Sequence, residues 1–183
     1  MYHVTLQLNA KLQPMHRGDL FEDPLNEFLE ENNLGGTSGG GTLLAENNEV
    51  NNCDIEIDMS DISEASLNCV IAEIERLGAP KGSWLRLHDS ATTLAVGKAE
   101  GLGVYLNGTD LPDEVYQSSD VNVVYDELEK RIDGIGKILS YWDGPEETAF
   151  YLYGDSFVAM QEKIADFLAS YPLCQQCRVV QIA

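Results

Sequence analysis

The residues of this chain whose types and spacing suit acid–base or metal chemistry gather in its first half. Residues 53–59 alternate apolar side chains with carboxylates, which places the carboxylates together on one face of a strand. Two histidines fall in neighbouring predicted strands and reach the same face. The five candidates are His3, His88, Asp54, Glu56 and Asp58. They would form a small-molecule or metal-binding active site, but a solvated polar face of an antiparallel sheet explains the same pattern.

Three tyrosines form a second group of candidates in the second half of the chain. If Phe150 and Leu152 point into a core, Tyr151 and Tyr153 point to the opposite face of their strand, and Tyr105 joins them from a neighbouring strand. RNA-recognition-motif domains place base-stacking aromatics in this way, but the glycine and basic residues of that motif are missing here. The row is therefore predicted either to be buried against the first half of the chain or to receive a protein partner.

The only cysteine pair with metal or redox spacing is Cys174 and Cys177. A zinc site needs four ligands, and the sequence has no second pair. The pair follows a predicted helix instead of opening one, so no helix N-terminus stabilises a thiolate. Cys53 and Cys69 fall on apolar faces and are interpreted as small core residues. We therefore predict no structural zinc, no cofactor and no obligatory disulfide.

A run rich in glycine at 35–41 raises the question of phosphate binding. Phosphate-binding loops follow a strand and open a helix, whereas this run follows a predicted helix and leads into a strand. We predict a mobile loop here. No serine lies in a nucleophile elbow, so enzyme activity is the less favoured of the functional interpretations.

The elements that must position these residues occur twice along the chain. Residues 4–14 recur 98 residues later, with Asn9 matching Asn107. Further on the offset is 95, and Gly41 then matches Gly136. Few identities survive, but the apolar alternation is kept in four places, which is typical of two diverged copies of one unit.

Each copy has the order strand–helix–strand–strand–helix–strand, which is the ferredoxin-like order. We therefore predict an α+β protein with two tandem ferredoxin-like units at 1–90 and 102–183, joined by a linker at 91–101. Each unit has an antiparallel sheet with both helices on one face. The predicted strands are 3–9, 42–46, 53–59, 84–88, 102–107, 136–142, 148–153 and 177–183, and the predicted helices are 22–33, 64–77, 119–132 and 156–170.

The charge of the chain excludes some classes of partner. Thirty-one Asp and Glu residues face eleven Lys and Arg residues, which gives a formal charge of −20. Nucleic acid and anionic lipid both repel such a surface. No apolar run approaches the ~18 residues of a membrane span, and the N-terminus alternates like a strand instead of resembling a signal peptide. The sequence thus predicts no nucleic-acid partner, no membrane partner and a cytoplasmic location.

The same charge favours a basic protein partner. Solubility of a small domain needs a net charge of only about −2 to −8, and the excess would steer a basic protein toward the surface. The hypothetical binding surface combines Tyr105, Tyr151 and Tyr153 with the carboxylates Glu146 and Glu147. Single-stranded nucleic acid on the same tyrosines is the alternative that the charge disfavours. A homo-oligomer is compatible with the composition.

Two short runs, Gly-Gly-Gly-Thr at 39–42 and Cys-Asp-Ile-Glu-Ile at 53–57, carry a resemblance. The whole chain resembles bacterial proteins that are built from two ferredoxin-like units. This resemblance implies the fold and brings no established activity with it. Small acidic bacterial proteins that neutralise basic nuclease toxins have a similar charge, and by that analogy we hypothesise an immunity protein.

Overall fold

The strand order of both halves of the chain is the ferredoxin-like one. A computed structural model describes residues 1–90 and 92–183, and the chain divides into two units, Met1–Ala99 and Glu100–Ile182. In each unit the first four strands are ordered second, third, first, fourth across the sheet, and all neighbours are antiparallel. The protein is therefore an α+β protein with two tandem ferredoxin-like units, as the repeat predicts.

Unit 1 forms a five-stranded sheet in the order β2-β3-β1-β4-β5. Its elements are β1 (Tyr2–Leu8), α1 (Pro14–Arg17), a π-helical turn (Gly18–Glu22), α2 (Asp23–Glu31), β2 (Gly35–Leu44), β3 (Val50–Met59), α3 (Glu64–Arg76), β4 (Ser83–Leu87) and β5 (Thr92–Val96). The oxygen of Ser63 accepts a hydrogen bond from Ser66 N and caps α3, as the sequence predicts.

Three segments of unit 1 differ from the expectations. Residues 14–21, expected as a loop, are helical, because Pro14 opens a first turn that continues through the π-helical turn into α2. The glycine run at 35–41, expected as a mobile loop, is part of β2 and pairs along β3. Residues 92–96, expected within the linker, form β5 and pair with β4. In each segment, pairing or packing with a distant element overrides a weak local pattern.

Unit 2 forms a four-stranded sheet in the order β7-β8-β6-β9. Its elements are β6 (Glu100–Asn107), α4 (Asp113–Ser118), α5 (Val121–Ile132), β7 (Gly136–Asp143), β8 (Glu147–Gly154), α6 (Phe157–Ser170), a 3₁₀ turn (Pro172–Cys174) and β9 (Arg178–Gln181). The short helix α4 is absent from the sequence-based expectations. No helix in the described part of the chain has the length and apolar character needed to cross a membrane.

The hairpins of the two units correspond more closely than the sequence alignment indicates. Gly35 pairs with Met59 in unit 1, and Gly136 pairs with Gly154 in unit 2. Each outer strand also shifts register at the same place, between the second and fourth residue after that glycine. Gly35 is therefore the counterpart of Gly136, and the predicted match of Gly41 with Gly136 is wrong. The hairpin of unit 1 has longer strands and a longer turn than that of unit 2, and this difference in length displaced the sequence match.

Both sheets bury one face against their helices. Alternate side chains of the central strands and the apolar stripes of the helices are buried together, and this removal of apolar surface from water drives the packing. The unit 1 core includes Val4, Leu6, Leu8, Leu25, Leu29, Ile55, Ile57, Val70, Ile74 and Leu85. The unit 2 core includes Leu102, Val104, Leu106, Val124, Leu128, Ile132, Phe150, Leu152, Met160 and Ile164. The candidate polar and aromatic residues alternate with these side chains and project from the opposite face of each sheet.

Candidate functional site

The polar face of unit 1 is assembled by strand register. β1 pairs with β3 so that His3 lies opposite Asp58 and Thr5 lies opposite Glu56. The backbone N–H of His88, just after β4, donates to the carbonyl of His3. The structure thus brings both histidines and two of the three carboxylates into adjoining positions on one sheet face.

Hydrogen bonds connect these side chains in two groups. His3 Nδ1 lies 2.7 Å from Asp58 Oδ1. Thr5 Oγ1 donates to Glu56 Oε2 at 2.9 Å and lies 2.8 Å from His88 Nε2. The centroids of the two imidazole rings are 6.3 Å apart in an edge-on arrangement. Thr5 was not among the candidates predicted from the sequence. It lies on β1 between β3 and β4 and alternates with the buried Val4 and Leu6, which places it on the same polar face.

The protons available on this chain of side chains define its chemistry. Thr5 has a single hydroxyl proton, and it donates that proton to the Glu56 carboxylate. The contact between Thr5 and His88 therefore requires an Nε2–H on His88 that donates to the hydroxyl. A general base must accept the proton of its nucleophile, and His88 in this arrangement donates instead. The geometry is that of a hydrogen-bonded polar network in which His88 is not the general base for Thr5.

Asp54 stands apart from this network. It lies opposite Gln7 of β1 and Gly41 of β2, and its Oδ1 is buried without a hydrogen-bond partner among the described residues. Within the same residues, no group of three or more His, Cys, Asp or Glu side chains has an arrangement that could hold a metal ion. The polar face therefore offers hydrogen-bonding and charged groups for a ligand but no ready-made metal site in that part of the chain.

The tyrosine row of unit 2 is buried. Tyr105, Tyr151 and Tyr153 are 6%, 1% and 4% exposed, so the structure does not present an exposed docking row, which was one of the two alternatives that the sequence leaves open. Tyr105 and Tyr151 meet edge to face, with ring centroids 6.2 Å apart, and the guanidinium of Arg178 covers Tyr105 at 4.4 Å from the ring centroid. Neither a protein partner nor a nucleic-acid base can stack on rings that are covered in this way.

The two carboxylates predicted at the rim of that row differ from each other. Glu147 forms a two-point ion pair with Arg178, with Nε–Oε1 and Nη2–Oε2 distances of 2.8 and 2.7 Å. Glu147 therefore holds the cation that covers Tyr105. Glu146 is exposed. Of the five residues proposed for the surface, Glu146 alone is exposed to a partner.

The Cys174–Cys177 pair spans a tight turn in which Cys177 N donates to Cys174 O. Gln175 has φ −60° and ψ 136°, and Gln176 has a φ of 59°, which together correspond to a type II turn. Burial raises the pKa of Cys174 to about 12, with a smaller contribution from Cys177. Burial also raises the pKa of Cys177. Both thiols are protonated at neutral pH, so they are poor nucleophiles.

Sequence reasoning missed a row of carboxylates on the first helical segment of unit 1. Four exposed side chains recur at intervals of four residues between the π-helical turn and the end of α2. We call them the acidic ridge, and they are Asp19, Asp23, Glu27 and Glu31. None forms an ion pair or hydrogen bond with a side chain of the described residues. The four-residue spacing is visible in the sequence, but residues 14–21 were expected to be a loop, so Asp19 was not expected to be helical.

Comparisons with known proteins indicate no family for this chain. No family model matches the sequence, and no curated protein matches it. Among solved structures, a complex of TiaS with a tRNA, AMPCPP and agmatine is similar with a TM-score of 0.36 and 9% identity over 90% of this chain, and the match spans only 56% of that chain. The first two RRM domains of yeast poly(U) binding protein (Pub1) are similar with a TM-score of 0.26 and 11% identity, over 98% of this chain and 99% of that one. TM-scores this low do not support a fold or a function for this chain. The fold assignment depends on the strand order.

Proposed function

We propose that this protein is a protein-binding module that engages a basic protein through the acidic ridge of unit 1. The observation that supports the proposal is the row of four exposed carboxylates without cationic partners. Sixteen acidic and six basic side chains give unit 1 a formal charge of −10, and fifteen acidic and five basic side chains give unit 2 the same value. The ridge therefore lies on a molecule whose overall field attracts cations.

Repulsion between neighbouring carboxylates of the ridge disfavours its helix. Like charges four residues apart destabilise an isolated helix by about 0.2–0.5 kcal/mol per pair. The opposite side of α2 buries Leu25 and Leu29, so packing holds the helix in place despite this repulsion. A basic surface would relieve the repulsion, and complementary charge increases the association rate more than the affinity itself.

The test compares two variants with the same change in net charge. One replaces the ridge by amides, with Asp19→Asn, Asp23→Asn, Glu27→Gln and Glu31→Gln. The control replaces four exposed carboxylates of unit 2, with Asp113→Asn, Glu114→Gln, Glu162→Gln and Asp166→Asn. The unmodified chain and each variant are immobilised and exposed to a lysate of the source organism. Any protein that the unmodified chain captures is purified, and its association rate with the chain and with each variant is measured. The ridge variant should associate at least about tenfold more slowly, while the control changes little. Equal rates for the two variants, or failure of the unmodified chain to capture a basic protein, would contradict the proposal.

The finer form of this proposal is an immunity protein in the cytoplasm that neutralises a basic toxin. It is supported by the charge and by the analogy with small acidic proteins of that kind. Co-expression with the products of neighbouring genes tests it. A basic toxin should co-purify with the chain and lose its activity, and a neighbouring product that remains free and active would exclude that pair.

A second candidate is a small-molecule site on the polar face of unit 1, and the network of Thr5, Glu56 and His88 favours it. The two carboxylates and the exposed imidazoles suit a cationic ligand such as a polyamine. Thermal unfolding in the presence of polyamines tests this candidate. Polyamine should raise the Tm of the unmodified chain and of the Glu64→Gln variant but not that of the Glu56→Gln variant. If polyamine does not raise the Tm of the unmodified chain, this candidate is rejected.

A further inference from the structure

We propose that the free edge of β2 binds an extended lysine- or arginine-rich peptide segment as an additional strand. This inference deepens the proposed function and rests on it, because the segment would belong to the basic partner. Strand addition is a common mode of peptide recognition, in which backbone hydrogen bonds contribute affinity and alternate side chains contribute specificity.

The outer edge of β2 lacks most of the features that normally protect an edge strand. β2 is ten residues long, lies at the end of the sheet order and pairs with β3 alone in the described part of the chain. Natural edge strands are usually short, charged or interrupted by proline. β2 has no charged residue and no proline, and five of its ten residues are glycine. Its protective features are the register shifts after Thr37 and Leu43 and the hydrogen bond from Thr37 N to Asn26.

The equivalent strand of unit 2 provides an internal comparison. β7 has the same position in its sheet and the same register shift. It also carries Lys137, Tyr141 and Asp143, of which the first and last are charges of the kind that discourage strand pairing. Two copies of one unit have thus diverged at this edge, and only the strand of unit 1 carries no charged side chain of its own.

Carboxylates lie next to this uncharged edge. Asn26 Oδ1 accepts from Thr37 N at 2.9 Å, and its amide donates to Glu30 at 3.0 Å. Toward the other end of the strand, Arg17 donates to the carbonyl of Gly41 at 2.9 Å and pairs with Glu22 at 3.2 Å. Glu30 and Glu22 are therefore each one contact away from β2, and they belong to the helical segment that carries the acidic ridge.

The uncharged edge of β2 and the carboxylates beside it together indicate which kind of molecule would bind there. A second copy of the chain is disfavoured because two molecules with a charge of −20 repel each other. A strand with alternate basic and apolar residues would place cations beside Glu30, whereas the charge of Glu22 is already paired with Arg17. Its apolar residues would lie on the opposite face of the added strand and would cover Leu43, which is 55% exposed near the end of β2.

The test uses a fluorescent octapeptide of alternating lysine and valine with the full chain, followed by fluorescence anisotropy. The first control is the same peptide with N-methyl groups on two adjacent central amides. Adjacent N–H groups point to opposite edges of a strand, so this peptide keeps its charge but cannot complete a ladder on either edge. The unmethylated peptide should bind at least about tenfold more tightly, and amide hydrogen exchange in β2 should slow in its presence.

Two protein variants locate the site. Gly41→Lys places a charge on β2 at a position where a Cβ has no neighbour within 4 Å, so the fold tolerates it. It should weaken binding at least about tenfold. Tyr141→Lys changes an exposed position of β7 and should have less than about a twofold effect. Thermal unfolding verifies that both variants are folded.

Three outcomes would overturn the inference. Equal binding of the two peptides would show attraction by charge alone. The proposed function would still stand in that case if the ridge variant bound neither peptide. Absence of binding by either peptide would reject strand addition. A dimer of the unmodified chain that Gly41→Lys dissociates would show that the edge holds a second copy. Failure of the proposed function itself would appear separately, as unchanged capture of the partner by the ridge variant.

Discussion

Tyr151 illustrates how a single side chain changes role with its burial. The alternation of β8 places Phe150 and Leu152 in the core of unit 2 and Tyr151 on the other face of the sheet, where it is nevertheless 1% exposed. Buried aromatic side chains contribute to stability through area removed from water and through edge-to-face ring contacts. Tyr151 therefore belongs to the packed interior of the protein.

Truncation of this ring measures that contribution. Tyr151→Ala should lower the free energy of unfolding by about 3–5 kcal/mol, the range for large buried side chains. Tyr141→Ala provides the control because Tyr141 lies on the neighbouring strand at 45% exposure, and it should change stability by less than about 1 kcal/mol. Urea unfolding measures both. Similar stability of the two variants would contradict the buried role of Tyr151.

The cysteines are distinguished by burial in the same way. Cys69 is exposed, whereas Cys53 and Cys174 are buried, and burial raises the pKa of each buried thiol to about 12. A thiol that remains protonated far above neutral pH does not react as a nucleophile. At pH 8, iodoacetamide should label Cys69 in the folded protein and reach Cys53 and Cys174 only after unfolding. Peptide mass spectrometry follows the labelling. Labelling of Cys174 as rapid as that of Cys69 would show that the turn opens in solution.

At the scale of elements, β2 depends on glycine at some positions and not at others. A Cβ at Gly35 would collide with the carbonyl oxygen of Asp58, and its φ of 135° disfavours any other residue. A Cβ at Gly41 would meet no atom within 4 Å. The glycines of this strand are therefore not equivalent, although the sequence presents them as one run.

Two alanine substitutions in β2 test this difference. Gly35→Ala should lower the free energy of unfolding by about 2–3 kcal/mol, because it combines a steric clash with a strained backbone. Gly41→Ala should leave it unchanged or raise it by about 0.4–1 kcal/mol, since alanine reduces the entropy of the unfolded chain. Both values come from urea unfolding at one pH. An equal loss in both variants would indicate that the whole strand needs glycine for a reason other than the Asp58 carbonyl.

At the scale of the whole molecule, the charge of −20 acts on stability as well as on binding. A net charge far from zero destabilises a compact state by self-repulsion, and the Debye length falls from about 30 Å at 0.01 M salt to about 8 Å at 0.15 M. Raising sodium chloride across this range should therefore raise the Tm. The ridge amide variant and its unit 2 control remove the same number of charges, and both should show a smaller rise. A Tm that is independent of salt would show that repulsion is already relieved within the fold.

Local patterns in the sequence specify the repeat and the strand–helix–strand–strand–helix–strand order of each unit, but they did not predict α1, α4 or β5. Alternation in residues 53–59 and the Ser63 cap before α3 are local signals, and their energies arise within a few residues of the chain. The register that joins His3 to Asp58 could be anticipated in outline, because a ferredoxin-like order makes the first and third strands neighbours. The charge is likewise a property of composition.

Tertiary structure alone decided which surfaces are covered. Alternation shows that Tyr151 and Phe150 lie on opposite faces, but it does not show whether either face meets solvent, because burial depends on residues far along the chain. The run at 35–41 became a strand because β3 supplied partners for it, and strand preference depends on such context more than on the residues themselves. The helical turn that carries Asp19 likewise depends on how the segment packs. For that reason only the tertiary structure shows the acidic ridge, the free edge of β2 and the burial of the tyrosines.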